Sequence, residues 1–397
     1  MQLEKNALEV IALVDTNISD LVQSITLYES IDGYLQGTIQ IIDGTNFYDE
    51  IFGTYDKMIP LEISYKYADE IIRTYFAVDG ISDMKIKKSQ KEYTMHLITS
   101  AESALKLENI NEVYYGSSDE IIGNLWKQCL GGGSTLVINT QAVTKGKYIV
   151  PNIPAINAVD NVVNAAVDKD HTGFYLFQRI NETGTTHLSS LMTMSKDFFK
   201  DGNGDIFEIS NKIASRKDSE EKDVHNIGTS NEFTIEQYKI NHTDKLAAGF
   251  WGNNINHVRL DQTKVEKHES IEKTSSEITQ YKMSDKLYDV LTESRGPHGE
   301  PVRYQQKSLF STIYDSTDVL SVNLKRRMNE NQLKIDNITP IPLIGVGKNI
   351  RVAIGSSNNT ISRADGNYII ADINHSFMRN SGRFDYNQSM TLIREMA

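Results

Sequence analysis

The sequence predicts an α+β chain that is mainly β: two similar antiparallel β-barrel domains with an α+β insertion between them. Three observations carry that expectation. Both ends alternate apolar and polar residues with a period of two, the mark of strands with one buried face. The two ends also echo each other. Ile59, Ile81 and Met95 return as Ile350, Ile373 and Met390, at spacings of 291, 292 and 295 residues. Between the copies, from Tyr115, the apolar period becomes helical.

From Ala7 to about Thr99 the alternation is nearly continuous. Ile25 and Leu27 alternate with Ser24 and Thr26, and Ile59, Leu61 and Ile63 with Pro60, Glu62 and Ser64. Phe76 to Met84 makes a second run, and Tyr93, Met95 and Leu97 a third. Gly33, Gly37, Gly44, Gly53 and Gly80 punctuate the runs, and tyrosines recur from Tyr28 to Tyr75, as in half-buried strands.

A helix is expected from Asp119 to Leu130. Ser117 and Glu120 have capping-box spacing, in which each side chain satisfies a free backbone N–H of the first turn. Ile121, Ile122, Leu125, Trp126, Cys129 and Leu130 then share one face, and Gly131-Gly132-Gly133 ends it. A second helix is expected from Ala158 to Asp168, with Asn157 as N-cap and a stripe of Val159, Val162, Val163, Ala166 and Val167. Phe174-Tyr175-Leu176-Phe177 reads as a buried strand.

Ala214 to Asn226 is highly charged and reads as a loop, and strand character returns at Glu232-Phe233-Thr234-Ile235. Lys264 to Lys286 and the turn-rich Gly296 to Pro301 predict an exposed arm with a mobile tip. Asp315 to about Asn331 reads as a helix, and Thr339-Pro340-Ile341-Pro342 opens the last β-domain. The expected units are a first β-barrel at 1–105, an α+β insertion at 106–228, and a split second barrel. That barrel begins at 229–262, is interrupted by the charged arm of an outer domain at 263–312, and closes with a helix and strands at 313–397.

Composition narrows the function. The chain has 397 residues, enough for several domains, and 39% of them are hydrophobic. A net charge of −12 gives no electrostatic footprint for duplex nucleic acid or an anionic membrane. A lone cysteine, Cys129, rules out an internal disulfide and reads as a buried, inert thiol in its helix. The opening residues show no basic-then-apolar secretory pattern, and no run approaches the ~20 apolar residues of a membrane span. The chain is therefore expected to stay in the cytoplasm until something assembles it.

Candidate chemistry is sparse. Asp201-Gly202-Asn203-Gly204-Asp205 resembles the start of a calcium loop, but Ile206 and Lys212 stand where that loop needs Gly and Glu, so a hairpin turn is expected. Gly345-Val346-Gly347-Lys348 has part of a phosphate loop, but the first Gly is missing and Asn349 replaces the Ser or Thr that binds magnesium, which leaves a turn. The nine histidines show no metal-ligand spacing, and no Gly-x-Ser-x-Gly elbow occurs. Lys325-Arg326-Arg327 reads as a solvated helix face. The expectation is no catalytic residue, no metal ligand and no cofactor. A pair of carboxylates close only in space would escape this reading, so a peptidoglycan-degrading tail hydrolase stands as the alternative.

Several passages, in order along the chain, carry a family likeness. Tyr148-Ile149-Val150-Pro151-Asn152-Ile153-Pro154 precedes the second helix and the aromatic strand at Phe174, with the Asp119 helix before it. Gly249-Phe250-Trp251-Gly252 leads to His257 and Leu260-Asp261. Val346-Gly347-Lys348 leads through Tyr368 to His375 and on to Met390-Thr391-Leu392. In these passages the chain resembles the central baseplate hub protein of contractile-tailed phages of the T-even type, a family related to the first part of type VI secretion spike proteins. The stretch from Asp261 to Pro301 departs from the family's pattern.

The resemblance implies barrels of the tube type and a homotrimer whose six near-equivalent barrels adapt a sixfold tail tube to a threefold spike. It implies a structural, non-enzymatic protein of the virion tail baseplate, assembled in the host cytoplasm. Its expected partners are the central spike protein, tail tube or tube-initiator proteins, baseplate wedge proteins and the tape measure protein. No membrane and no specific nucleic acid is expected, DNA only passing through the channel. The hub of a phage-derived contractile injection system is the near variant of this reading. Because the chain stops at Ala397, soon after its last strand, the spike is expected to be a separate chain.

Overall fold

The computed structural model describes residues 8–13, 15–52, 58–67, 70–88, 90–170, 172–200, 206–210, 224–229, 232–235, 254–259, 264–269, 332–338, 340–341, 343–353 and 365–394. The chain opens with β1 (Leu8–Ala12), β2 (Thr16–Asn17), β3 (Val22–Ser30), β4 (Gln36–Asp43), α1 (Phe47–Ile51), β5 (Ile59–Tyr67), β6 (Glu70–Lys87) and β7 (Gln90–Ile98). The middle holds α2 (Ser100–Leu107), β8 (Asn109–Ile110), β9 (Val113–Ser117), α3 (Ser118–Leu130), β10 (Thr135–Ile138), β11 (Lys145–Ile149), β12 (Ile153–Pro154), α4 (Ala155–Ala165), β13 (Phe174–Gln178), β14 (Thr185–Ser190) and α5 (Leu191–Lys196). Then follow β15 (Ile206–Ser210), β16 (Val224–Thr229), β17 (Glu232–Ile235), β18 (Asn254–Arg259), β19 (Lys264–Glu269), β20 (Gln332–Ile338), β21 (Asn349–Ala353), β22 (Gly366–Asn380) and β23 (Arg383–Ile393).

The fold is mainly β with an α+β middle, as the alternation predicts. Fourteen strands form one branched sheet. Its main path runs β16-β15-β21-β22-β3-β4-β7-β6-β5-β1-β2, and a branch leaves β22 through β23 and β20 to β17. Two closed barrels are not what the described strands make. The path has no return, because β22 gives up β21 partway along and pairs with β3 instead. Alternation reports which face of a strand is buried and says nothing about which edges meet.

Three hydrophobic cores result. The first lies under β3–β7 and also takes Phe377, Phe384 and Tyr386 from the β22–β23 hairpin. The second gathers Phe207, Ile335, Val352, Ile373 and Met390 with Phe177 and Met194 from the middle of the chain. The third, around Trp126, Val159 and Phe174, packs α2, α3 and α4 on the sheet β10-β14-β13. Helix α3 starts on the expected capping box, with the Ser117 N–H donating to Glu120 Oε2 at 2.9 Å. Helix α4 starts earlier than expected. Ala155 N donates to the Glu108 carbonyl at 2.8 Å, so a tertiary partner takes the place of the Asn157 cap. It also ends earlier, at Ala165, where Asp168 turns the chain by accepting from the N–H of Asp170 and of Thr172.

Phe174–Gln178 is a strand buried throughout. Val224–Asn226, expected as loop, opens β16, and Lys264–Glu269, the opening of the expected polar arm, pairs with β18. The helix expected over 315–331 and the turn-rich stretch at 296–301 lie outside the described residues.

Candidate interaction site

The echo in the sequence is a repeat of one ladder. In the first copy Ala77 faces Ile98 and Val78 faces Leu97. Asp79 then bulges, and Gly80, Ile81 and Ser82 face His96, Met95 and Thr94. In the second copy Ile369 faces Ile393 and Ile370 faces Leu392. Ala371 bulges, and Asp372, Ile373 and Asn374 face Thr391, Met390 and Ser389. The spacings are 292 on one strand and 295 on the other, so the two echoed pairs, Ile81 with Met95 and Ile373 with Met390, are true ladder partners.

The match extends outwards. Met95 pairs onward with Ile39, and Ile39 with Ile25; Met390 pairs with Ile335, and Ile335 with Phe233. The order β3-β4-β7-β6-β5 therefore reappears as β17-β20-β23-β22-β21. One spacing needs correction. Phe76 faces Leu61 and its counterpart Tyr368 faces Ile350, so Leu61, and not Ile59, corresponds to Ile350. A slip of two residues keeps every side chain on the same pleat face, and alternation cannot detect it.

The two copies meet at β22. Its first part pairs with β21; from Asp372 to Met378 the same edge pairs antiparallel with β3. The bulge at Ala371 makes the exchange. Successive carbonyls of a regular strand point to opposite edges, and a bulge breaks that alternation. Here Ile370 O accepts from Gly347 N at 2.9 Å on the β21 side, and the next carbonyl, Ala371 O, accepts from Ile31 N at 2.8 Å beyond the end of β3.

Side chains lock the joint. Phe377 stacks on Tyr386 at 4.5 Å between centroids and lies 5.0 Å from Tyr65, inside the first core. Glu29 and His375 are fully buried beside them. Glu29 Oε1 accepts from Ile180 N at 2.9 Å and lies 3.2 Å from His375 Nε2, while Glu29 Oε2 accepts from Val346 N at 3.2 Å. His375 Nδ1 is 2.8 Å from the Tyr386 hydroxyl. An imidazole carrying its proton on Nε2 donates to Glu29 and accepts from Tyr386. One carboxylate thus fastens β3 to β22, to the middle of the chain and to the turn before β21. Sequence reasoning missed both residues. The signal was present: Glu29 is in phase with Ile25 and Leu27, and His375 with Ile373 and Phe377, so each puts a polar group at an inward position.

The β13–β14 turn rides over the same seam. Ile180 enters the first core, and the Thr74 hydroxyl donates to Ile180 O at 2.9 Å. On the other side Arg179 Nε donates to Val346 O at 2.9 Å and Asn181 Nδ2 to Leu343 O at 2.7 Å. Glu182 accepts from Arg179 Nη1 at 2.7 Å and from His187 Nε2 at 2.6 Å. The His187 hydrogen bond first, then the Arg179 guanidinium, holds the Glu182 pKa down to about 2. This accounts for the glycines of the Gly345–Lys348 turn. A Cβ on Gly345 would sit 2.5 Å from Arg179 Cδ, and one on Gly347, at φ +76°, 2.6 Å from Phe177 Cζ. The space a phosphate would need is filled by side chains.

The other candidates give no chemistry. Asp201–Asp205 and Lys325–Arg327 lie outside the described residues. Cys129 is half-buried, and burial raises its pKa, which disfavours the thiolate. Among the described residues no group of three or more His, Cys, Asp or Glu is placed to hold a metal ion, and no helix is long and apolar enough to cross a membrane.

No protein-family model and no curated protein matches the sequence. Solved structures do match the fold. A tail protein from Neisseria meningitidis MC58 superposes with a TM-score of 0.55 at 10% identity, over 98% of this chain and 96% of that one. The 43 kDa tail protein of prophage MuSo2 from Shewanella oneidensis gives 0.53 at 10% identity, over 98% and 96%. A component of the Escherichia coli type VI secretion system gives 0.49 at 9% identity, over 94% and 73%. At such identity the likeness is one of fold, and along almost its whole length this chain has the fold of the first two tail proteins.

Proposed function

We propose that this chain is the structural baseplate hub of a contractile phage tail, a homotrimer that adapts the sixfold tail tube to the threefold central spike and lines the channel between them. The repeated ladder is the observation that carries this reading. One chain brings two copies of the same five-strand arrangement, already joined edge to edge, so three chains present six near-equivalent positions in a ring of threefold symmetry. The fold shared with two tail proteins over nearly the whole chain supports it. On this reading each copy contributes a tube-type barrel wall. The spike docks on one face and tube or tube-initiator proteins on the other, and wedge proteins contact the outside. The role is structural and needs no cofactor, and the protein resides in the tail baseplate of the virion.

Light scattering on the purified chain, alone and with its spike, tests the proposal. The expected result is a particle three times the 44.8 kDa chain mass that shows six similar lobes in averaged images. A chain that stays monomeric or dimeric under both conditions would sink it.

A further inference from the structure

We infer that the outer edge of β6, at Lys85 to Lys87, pairs antiparallel with β17 of a second copy of this chain, in the register that Ser376 to Met378 of β22 and β3 already use within one chain. The inference rests on the homo-oligomeric reading above and assigns its contact surface. The repeat leaves two complementary edges. The last part of β22 is covered by β3, but its counterpart, β6 beyond Val78, has only β7 beside it among the described residues. Strand β3 lies between β4 and β22, but its counterpart β17 pairs only with β20 among the described residues. Among the described residues, the partner one copy lacks is the strand the other copy leaves unpaired on that side.

Exposure agrees. Beyond a second bulge between Ser82 and Lys85, which β22 lacks, Ile86 faces Lys91 as Phe377 faces Tyr386, so Ile86 stands where the second copy has Phe377. Phe377 is 0% exposed in the core of the neighbouring copy, whereas Ile86 is 70% exposed. Every described residue from Asp83 to Lys88 is exposed. A bare sheet edge carrying a bare isoleucine is an association site unless something covers it. The occupant is a second copy because the chain already makes this contact with itself. The hairpin tip is basic (Lys85, Lys87, Lys88), and the register puts Lys87 opposite Glu232, the first residue of β17.

Register follows from the ladders. Phe377 faces Ile25, and Phe233 occupies the Ile25 position of the second copy, so Ile86 should face Phe233, Lys85 Thr234 and Lys87 Glu232. The contact is head-to-tail, and a closed ring leaves no free edge of this kind.

Cysteine cross-linking tests the register. In a Cys129→Ser background, Lys85→Cys with Thr234→Cys should oxidise to covalent species of up to three chains, since directly opposed residues have Cα atoms ~5 Å apart. Lys85→Cys with Phe233→Cys puts the thiols on opposite pleat faces and should give at least tenfold less. Ile86→Asp, exposed and so compatible with folding, should weaken association at least tenfold while circular dichroism stays unchanged. If the unmodified chain assembles but neither the in-register pair links nor Ile86→Asp dissociates it, this edge is wrong and the hub reading survives. If the unmodified chain never associates, both fall.

Discussion

In the first copy the strand beyond β5 is β1, which runs antiparallel to it; in the second copy the strand beyond β21 is β15, which runs parallel. The connections differ as much. Residues 31–35 join β3 to β4, whereas β17 and β20 are separated by residues 236–331. Between these unlike surroundings the five-strand ladder keeps its order and the shared bulge at Asp79 and Ala371, while each copy adds shifts of its own, between Ser82 and Lys85 in the first and between Ile335 and Ile338 in the second. Loops take insertions at little cost, since closure entropy grows only logarithmically with length. A bulge cannot be moved so cheaply. It sets which carbonyl faces which edge, and at Ala371 that choice joins one copy to the other. The two copies therefore agree in strand order and in the bulge that prepares an edge exchange, and differ in what surrounds them.

The largest effect should separate Phe377 from its counterpart Ile86. Phe377→Ala opens a cavity beside Tyr65 and Tyr386 and should cost ~4 kcal/mol. Ile86→Ala, measured at a dilution that keeps chains apart, should cost under ~0.5 kcal/mol. Urea unfolding of both variants checks this. Equal losses would mean that the two hairpins occupy the same environment within one chain, and the comparison would break.

A proline pair sharpens the same comparison. Ile63 lies between β1 and β6, and its counterpart Val352 between β15 and β22. Each backbone N–H has a strand on whichever side it points, so Ile63→Pro and Val352→Pro each delete a ladder bond and should each cost ~3 kcal/mol. Thermal melts should fall together. A tolerated Val352→Pro would show that β21 is not held between β15 and β22 in the second copy's stable sheet.

Much of this was legible in the sequence. Met95, Leu97, Met390 and Leu392 mark the ladder because buried strand faces must be apolar, and Ser117 with Glu120 marks a helix start because the chemistry is local. What was not legible depends on edges and distant partners. Nothing in β22 announces that it will leave β21 for β3, since edge pairing is made by backbone groups every residue carries. The start of α4 depends on the Glu108 carbonyl, which is remote in sequence. Glu29 and His375 could have been noticed as polar residues in apolar register, but their meeting across 346 positions could not.

The smallest effect concerns how the β13–β14 turn grips the two copies. On the first copy it is held by buried Ile180 and the Thr74 hydroxyl; on the second, by Arg179, whose guanidinium is oriented by Glu182. Glu182 titrates at about 2 in the folded chain, against 4.5 for an ordinary glutamate. A depressed carboxylate stabilises the fold above its unfolded pKa and loses that contribution as pH falls through the folded value. The grip on the second copy should therefore be complete above about pH 4.5 and fade towards pH 2. Because Glu182 is 36% exposed, solvent screening limits the effect to ~1 kcal/mol. Amide exchange at Gly345 and Val346 should accelerate across that window, and Glu182→Gln should remove this part of the acid sensitivity while leaving exchange near Thr74 unchanged. If both sides of the seam loosened together in the wild type and in Glu182→Gln alike, the turn would be acting as a single rigid clasp, and the asymmetry between the copies would not extend to their attachment.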